Sequence, residues 1–224
     1  MDNKEIMSHV DHTLLKAAAD WSAIQDLCRE AVEYGAASVC IPPAYVAKVR
    51  GAYGELVTIC TVIGFPLGYS TTAVKAAEAA QALAEGASEI DMVVNLTDVK
   101  NGDYAAITAE IARLREVCGG HILKVIIETC YLTEEEKIML CRCVTEGGAD
   151  FIKTSTGFGT AGATLEDVEL MKAHIGPGVR IKASGGIRSR EDIVAFLAAG
   201  CDRIGASSAV TALYGEGGRE SHGY

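Results

Sequence analysis

"TEGGADFIK" (145–153) closes a helix-like segment and opens a short apolar run. Its glycines suit the residue just past a helix, the small residues after them suit a tight αβ turn, and the run that follows reads as a strand. Related phrases occur at "EYGAASVC" (33–40), "AEGASEID" (84–91) and "AAGCDRIG" (198–205). Their spacing is roughly 50 residues or a multiple of it, which marks βα units stacked in parallel.

Outward from these phrases, strands are predicted at 9–13, 38–41, 56–63, 89–94, 121–128, 151–154, 180–184 and 203–207. Helices with apolar residues at three- and four-residue spacing are predicted at 21–34, 44–53, 71–85, 103–117, 133–146, 164–175 and 189–199, with a short last one over 206–213. Thr133, Thr164 and Ser189 each stand where a helix N-cap belongs. Eight βα units in 224 residues predict an α/β fold, a closed (β/α)8 TIM barrel. An open doubly wound sheet is the alternative, but no GxGxxG turn follows the first strand and the glycine-rich loops come late. No linker or low-complexity stretch divides the chain, so 1–224 is expected to be one domain, with 214–224 a mobile tail.

Nearly half the residues are apolar, enough for one substantial core. The net charge is -10 and no basic run appears, which argues against nucleic acid and anionic membranes as partners and for a small molecule. The start, "MDNKEIMSHVDHT", lacks the basic and apolar regions of a signal peptide, and no apolar run approaches a membrane span, so a cytoplasmic protein is expected. The eight cysteines form no CxxC pair and read as buried free thiols. "CRC" (141–143) lacks a second ligand cluster, and no metal is expected there.

Barrel strands should be apolar on both faces. Here Asp11, Asp91, Lys124, Lys153 and Lys182 interrupt five different strands. A single lysine in such a run ordinarily lays its stem along apolar surface and sends its ammonium to water. Five charges in corresponding runs, each costly to bury alone, make sense as a compensating cluster inside the barrel. Lys153 and Lys182 lie on adjacent strands, about 4.8 Å apart, so their amines can approach one another. Like charge and desolvation both favour a neutral amine, which is what a Schiff-base nucleophile requires. Asp91 can then exchange protons through water. Lys124 reads better as the ion-pair partner of Asp91.

The loops "KTSTGFGTAG" (153–162), "ASGGIRS" (183–189) and "IGASS" (204–208) follow the last three strands, where barrels bind phosphate on backbone amides. Gly185 and Gly186 allow close backbone approach, Ser207 and Ser208 add hydroxyls, and Arg188 adds charge. A lysine nucleophile beside a phosphate rim suggests carbon–carbon chemistry on a sugar phosphate.

"DHTLL" (11–15), "FPLG" (65–68), "EIDMVVN" (89–95), "LKVIIETCYL" (123–132), "GADFIKTSTGF" (148–158), "IKASGGIR" (181–188) and "RIGASS" (203–208) together resemble the deoxyribose-phosphate aldolase family, in order and over nearly the whole chain. The resemblance implies a class I lyase, without metal or cofactor, that reversibly cleaves 2-deoxy-D-ribose 5-phosphate to D-glyceraldehyde 3-phosphate and acetaldehyde in deoxyribonucleoside catabolism. It implies that Lys153 forms the Schiff base, that Lys182 lowers its proton affinity and joins the proton relay, and that Asp91 is the general acid/base. Lys124, Asp11, Thr154 and Cys40 become supporting polar residues, and Gly157 and Gly205 join Gly185, Gly186, Arg188, Ser207 and Ser208 at the phosphate. The C-terminal Tyr224 is expected to assist proton transfer, and a homodimer is expected. Some family members carry a lysine where this chain has Phe158, so weaker phosphate dependence is expected here. Two other readings remain open: a different class I aldolase or transaldolase, and a non-catalytic barrel that binds a phosphate ligand.

Overall fold

In a computed structural model that describes residues 1–215, eight parallel strands close into a barrel in chain order. They are β1 (Val10–Thr13), β2 (Ser38–Ile41), β3 (Ile59–Ile63), β4 (Glu89–Val93), β5 (Ile122–Ile126), β6 (Phe151–Lys153), β7 (Arg180–Ser184) and β8 (Arg203–Ala206). Each pairs with the next, and β8 returns to β1. Closure leaves no edge strand to protect. Tyr224 lies outside the described residues.

Around the barrel run α1 (Asn3–Met7), α2 (Trp21–Tyr34), α3 (Val46–Tyr53), α4 (Thr72–Ala84), α5 (Leu96–Lys100), α6 (Tyr104–Cys118), α7 (Glu134–Glu146), α8 (Leu165–His174), α9 (Arg190–Ala199) and α10 (Ala209–Tyr214). Thr133 and Ser189 cap α7 and α9 in reciprocal boxes with Glu136 and Asp192, and Thr164 accepts from the Asp167 N–H at the start of α8. At the other ends of α2 and α9, Gly35 (φ 71°) and Gly200 (φ 113°) take the left-handed turn into the next strand.

Three predicted boundaries shift for local reasons. A single 3-10 turn occupies Gly54–Leu56, so β3 starts at Ile59. Glu128 takes a left-handed φ of 54°, which ends the extended run that leaves β5. The strand β8 claims 203–206, so the last helix starts at Ala209. The five-residue helices α1 and α5 were not predicted, being too short to show a helical period.

The apolar residues form two layers. Val39, Ile41, Ile90, Met92, Ile152 and Ile181 face outward into the large core shared with the helices. Inside the barrel, Cys40, Cys60 and Val62 make a small separate cluster, with Leu15 and Phe65 against it. All eight cysteines are free, and Cys141 and Cys143 of the "CRC" stretch are buried in α7. Between α4 and α6, the buried Lys75 Nζ lies 2.9 Å from Glu110 Oε2 and 2.8 Å from the Val93 carbonyl.

Candidate active site

Strand alternation turns one row of each strand inward, and the charged interruptions all fall on those rows. Lys153 and Lys182 are Cα partners across β6 and β7, Asp91 and Lys124 are partners across β4 and β5, and Asp11 of β1 meets Gly205 of β8. Asp11, Asp91, Lys124 and Lys182 are fully buried, and Lys153 is 3% exposed. The sequence reading missed two members of the cluster. Glu89 stands two residues before Asp91 and shares its face, and Arg203 stands two before Gly205.

Asp91 is the hub. Its Oδ2 accepts from Lys153 Nζ at 2.7 Å and from Lys182 Nζ at 2.7 Å, while Oδ1 accepts from Lys124 Nζ at 2.8 Å. The two amines on Oδ2 are therefore separated by no more than twice that distance. Asp11 accepts from Lys182, from Arg203 and, at 2.7 Å, from the Ser38 hydroxyl. Glu89 takes Lys124 at 2.6 Å and the Arg203 guanidinium at 3.2 Å. The Lys124–Asp91 pair expected from the sequence is present and extends to Glu89.

Burial alone would push the carboxyl of Asp91 upward, but the ammonium groups of Lys124, Lys153 and Lys182 outweigh it and hold Asp91 well below the carboxylate range. At Asp11 burial is likewise overcome, by Lys182, Lys124 and Arg203. Burial works against the charges of Lys182 and Lys124 too, yet both are driven upward, Lys182 by Asp11 and Asp91, and Lys124 by Asp91, Cys60, Asp11 and Glu89. Lys182 thus stays cationic beside Lys153. Fully ionised, the cluster holds four cations against three anions, so it becomes neutral when one amine gives up its proton.

Of these seven side chains, Lys153 is the one that lines the cleft at the C-terminal end of the strands. The cleft encloses about 270 Å³, and Gly157, Gly185, Gly186, Arg188, Gly205 and Ser207 line it as expected. Ser208 does not; it faces a neighbouring depression, because the chain turns into α10 at that residue. Thr13, at the end of β1, and Lys16, on the loop after it, also line the cleft and were missed; Lys16 is exposed on an irregular loop, where a lysine carries no signal of its own. Thr154 is buried, its hydroxyl donating to the Ser184 carbonyl at 3.2 Å and accepting from the Ser184 N–H at 3.1 Å, so it ties the start of the loop after β6 to the end of β7. Cys40 sits inside the barrel, and a hydrogen bond with Cys60 draws its thiol below the ordinary range. Phe158 is 53% exposed and meets Phe65 edge to face, ring centroids 5.4 Å apart.

Two donor groups have metal-like spacing, Cys40–Cys60–Asp91 and Asp11–Cys60–Glu89. In both, a protein cation already stands among the donors. Lys124 Nζ lies 3.2 Å from Cys60 Sγ and also contacts Asp91 and Glu89.

A model of the DeoC/LacD family aldolases matches residues 5–215. The chain is 60% identical to a deoxyribose-phosphate aldolase of Clostridium botulinum (strain Eklund 17B / Type B) over 224 residues, all of both chains. It is 54% identical to a deoxyribose-phosphate aldolase of Clostridioides difficile (strain 630), over 95% of this chain and 97% of that one. Among solved structures, the deoxyribose phosphate aldolase of Aeropyrum pernix, described as a unique tetramer, superposes with a TM-score of 0.86 at 36% identity, covering 95% of this chain and 91% of the other.

Proposed function

The chain belongs to the DeoC/LacD family of aldolases, and on that premise we propose that it reversibly cleaves 2-deoxy-D-ribose 5-phosphate to D-glyceraldehyde 3-phosphate and acetaldehyde. The observation that carries this reading is the pair of lysines on one oxygen of Asp91, with Lys153 alone of the cluster lining the cleft.

In this mechanism the neutral amine of Lys153 adds to the C1 aldehyde, and the resulting carbinolamine takes up a proton relayed through Asp91 and loses water, giving a protonated imine. Loss of the C3 hydroxyl proton sends the C2–C3 bonding electrons toward that imine. Glyceraldehyde 3-phosphate departs and an enamine stays on Lys153. Protonation at C2 and hydrolysis release acetaldehyde and restore the amine. Lys182, held cationic by Asp11 and Asp91, stabilises negative charge that develops nearby. Asp91, ionised at rest, transiently accepts and returns protons through water, while Lys124, Glu89 and Arg203 hold it in place. At the far end of the substrate, amides around Gly157, Gly185, Gly186 and Gly205, with Ser207 and Arg188, receive the phosphate, and Lys16 adds a cation missed in the sequence. Binding energy there orients the reacting carbons.

Tyr224 is assigned to enamine protonation on the resemblance alone; removing it should slow solvent exchange at the acetaldehyde methyl. The reading further takes 1–224 as one domain, a homo-oligomer that acts in the cytoplasm in deoxyribonucleoside catabolism. No helix among the described residues is long and apolar enough to cross a membrane.

The test is reductive trapping. Acetaldehyde with borohydride should leave an ethyl group on Lys153, and product analysis should show glyceraldehyde 3-phosphate. An unmodified Lys153 would favour a non-catalytic barrel, and a different product would favour another class I aldolase.

A further inference from the structure

Glu128 stands just past β5 with a φ of 54° and is 2% exposed. Glycine occupies that left-handed region without steric cost, whereas a side chain with a Cβ does so under strain. The backbone therefore gives no reason for glutamate at this position, and the carboxylate has to supply one.

Both carboxylate oxygens are engaged by a single residue. Oε1 accepts from the Thr156 N–H at 3.1 Å, and Oε2 accepts from the Thr156 hydroxyl. That hydroxyl in turn accepts from the Phe158 N–H at 3.0 Å. No cation among the described residues forms an ion pair with Glu128, so its charge is directed at the donors of this loop. On either side of Glu128, Ile127 N–H donates to the Lys153 carbonyl and Thr129 N–H to the Thr154 carbonyl, each at 3.0 Å. The Glu128 side chain thus continues this linkage beyond β6, where the loop has left the sheet. The loop also passes close against the carboxylate: a Cβ on Gly159 would lie 3.2 Å from Glu128 and 2.7 Å from Cys130 Sγ. Its other end packs on the turn after β7: a Cβ on Gly162 would lie 2.1 Å from the Gly185 carbonyl oxygen, and the Ala163 N–H donates to that carbonyl at 3.1 Å.

We propose that Glu128 is a positioning residue for the substrate phosphate, acting through Thr156 to fix Gly157 and Phe158 against the Gly185–Gly186 turn. The inference rests on the reading of the cleft as a sugar-phosphate site. An acceptor with two oxygens suits the task, because Thr156 offers two donors. A glutamine would present an amide donor to one of them.

The test compares Glu128→Gln, Glu128→Gly and Thr156→Val in steady-state kinetics on 2-deoxyribose 5-phosphate and on unphosphorylated 2-deoxyribose. KM for the phosphorylated sugar should rise about 10-fold in Glu128→Gln with kcat within about threefold, while kcat/KM for the free sugar stays within about twofold. Glu128→Gly should show the same rise although its backbone is relieved. Thr156→Val leaves Glu128 in place and should raise the same KM, and its combination with Glu128→Gln should fall short of the product of the single effects. A wild-type KM in Glu128→Gly, or equal losses on both sugars in all three variants, would overturn the proposal while leaving the aldolase assignment intact. A wild-type protein without turnover on either sugar would overturn that assignment and this inference with it.

Discussion

Replacing Asp11 by asparagine tests whether the barrel interior is held by charge balance. Asp11 is fully buried and carries Lys182 and Arg203 on its two oxygens, with Lys124 at 3.6 Å. Losing its charge raises the excess of cations over anions from one to two in a region closed to water. Removing one partner from a buried charge network costs about 3–5 kcal/mol, because the groups left behind stay desolvated without compensation. For a chain of this size each kcal/mol moves Tm by about 2–4 °C, so D11N should melt on the order of 10 °C lower. With a urea m value of about 2–3 kcal/mol/M the midpoint should fall by about 1.5 M. Adding R203M removes one cation and returns the excess to one. The double variant should therefore recover at least about 2 kcal/mol relative to the sum of the single losses, a coupling typical of residues in one network. Urea titrations of the four proteins, followed by circular dichroism, measure the cycle. Strict additivity, or a D11N midpoint within error of wild type, would refute the idea that balance inside the barrel rather than local packing sets its stability.

The pH dependence follows from the same groups. Asp11 and Asp91 lie below their unfolded values, so their contribution is complete above about pH 4–5 and fades on further acidification; Lys124 and Lys182 lie above theirs, so their contribution persists to about pH 10 and fades beyond it. Tm should accordingly fall on the acid side of pH 4 and show no network-dependent slope from pH 5 to pH 9, and a slope centred on neutrality would contradict this. At the second buried pair, E110Q leaves the Lys75 ammonium with the Val93 carbonyl and should cost about 3–5 kcal/mol in urea unfolding, whereas K75M/E110L should recover most of it. At the rim, F158K should increase kcat/KM for 2-deoxyribose 5-phosphate over 2-deoxyribose by about 10-fold, since it adds a cation beside the proposed phosphate site; an unchanged ratio would show that Phe158 is not what limits phosphate preference.

The barrel was legible because its turns repeat: the glycine and small residues after α2, α4, α7 and α9 report the same local geometry each time. Lys153, Lys182 and Asp91 were legible as charges in otherwise apolar strands. Glu89 and Arg203 were not, since each occupies the first position of its strand, where a charge ordinarily reaches solvent; only closure of the sheet shows that both turn inward. Glu128 escaped notice because a left-handed backbone leaves no mark on residue type when the residue is not glycine. Ser208 was misplaced toward the cleft because adjacent residues after a strand diverge, and the resemblance does not say which way each side chain turns.

The enclosure of Asp91 bears on how isotope enters the product. Asp11, Asp91, Lys124 and Lys182 have no exposed surface, and Lys153 is the member of the cluster at the cleft. Protons reaching Asp91 from that side must therefore pass Lys153, the amine that carries the substrate in the proposed mechanism. If Asp91 rather than an acid outside the cluster protonates the proposed enamine, deuterium uptake into acetaldehyde should be indifferent to buffer concentration at fixed pH, and the barrel interior would act as a private reservoir of protons.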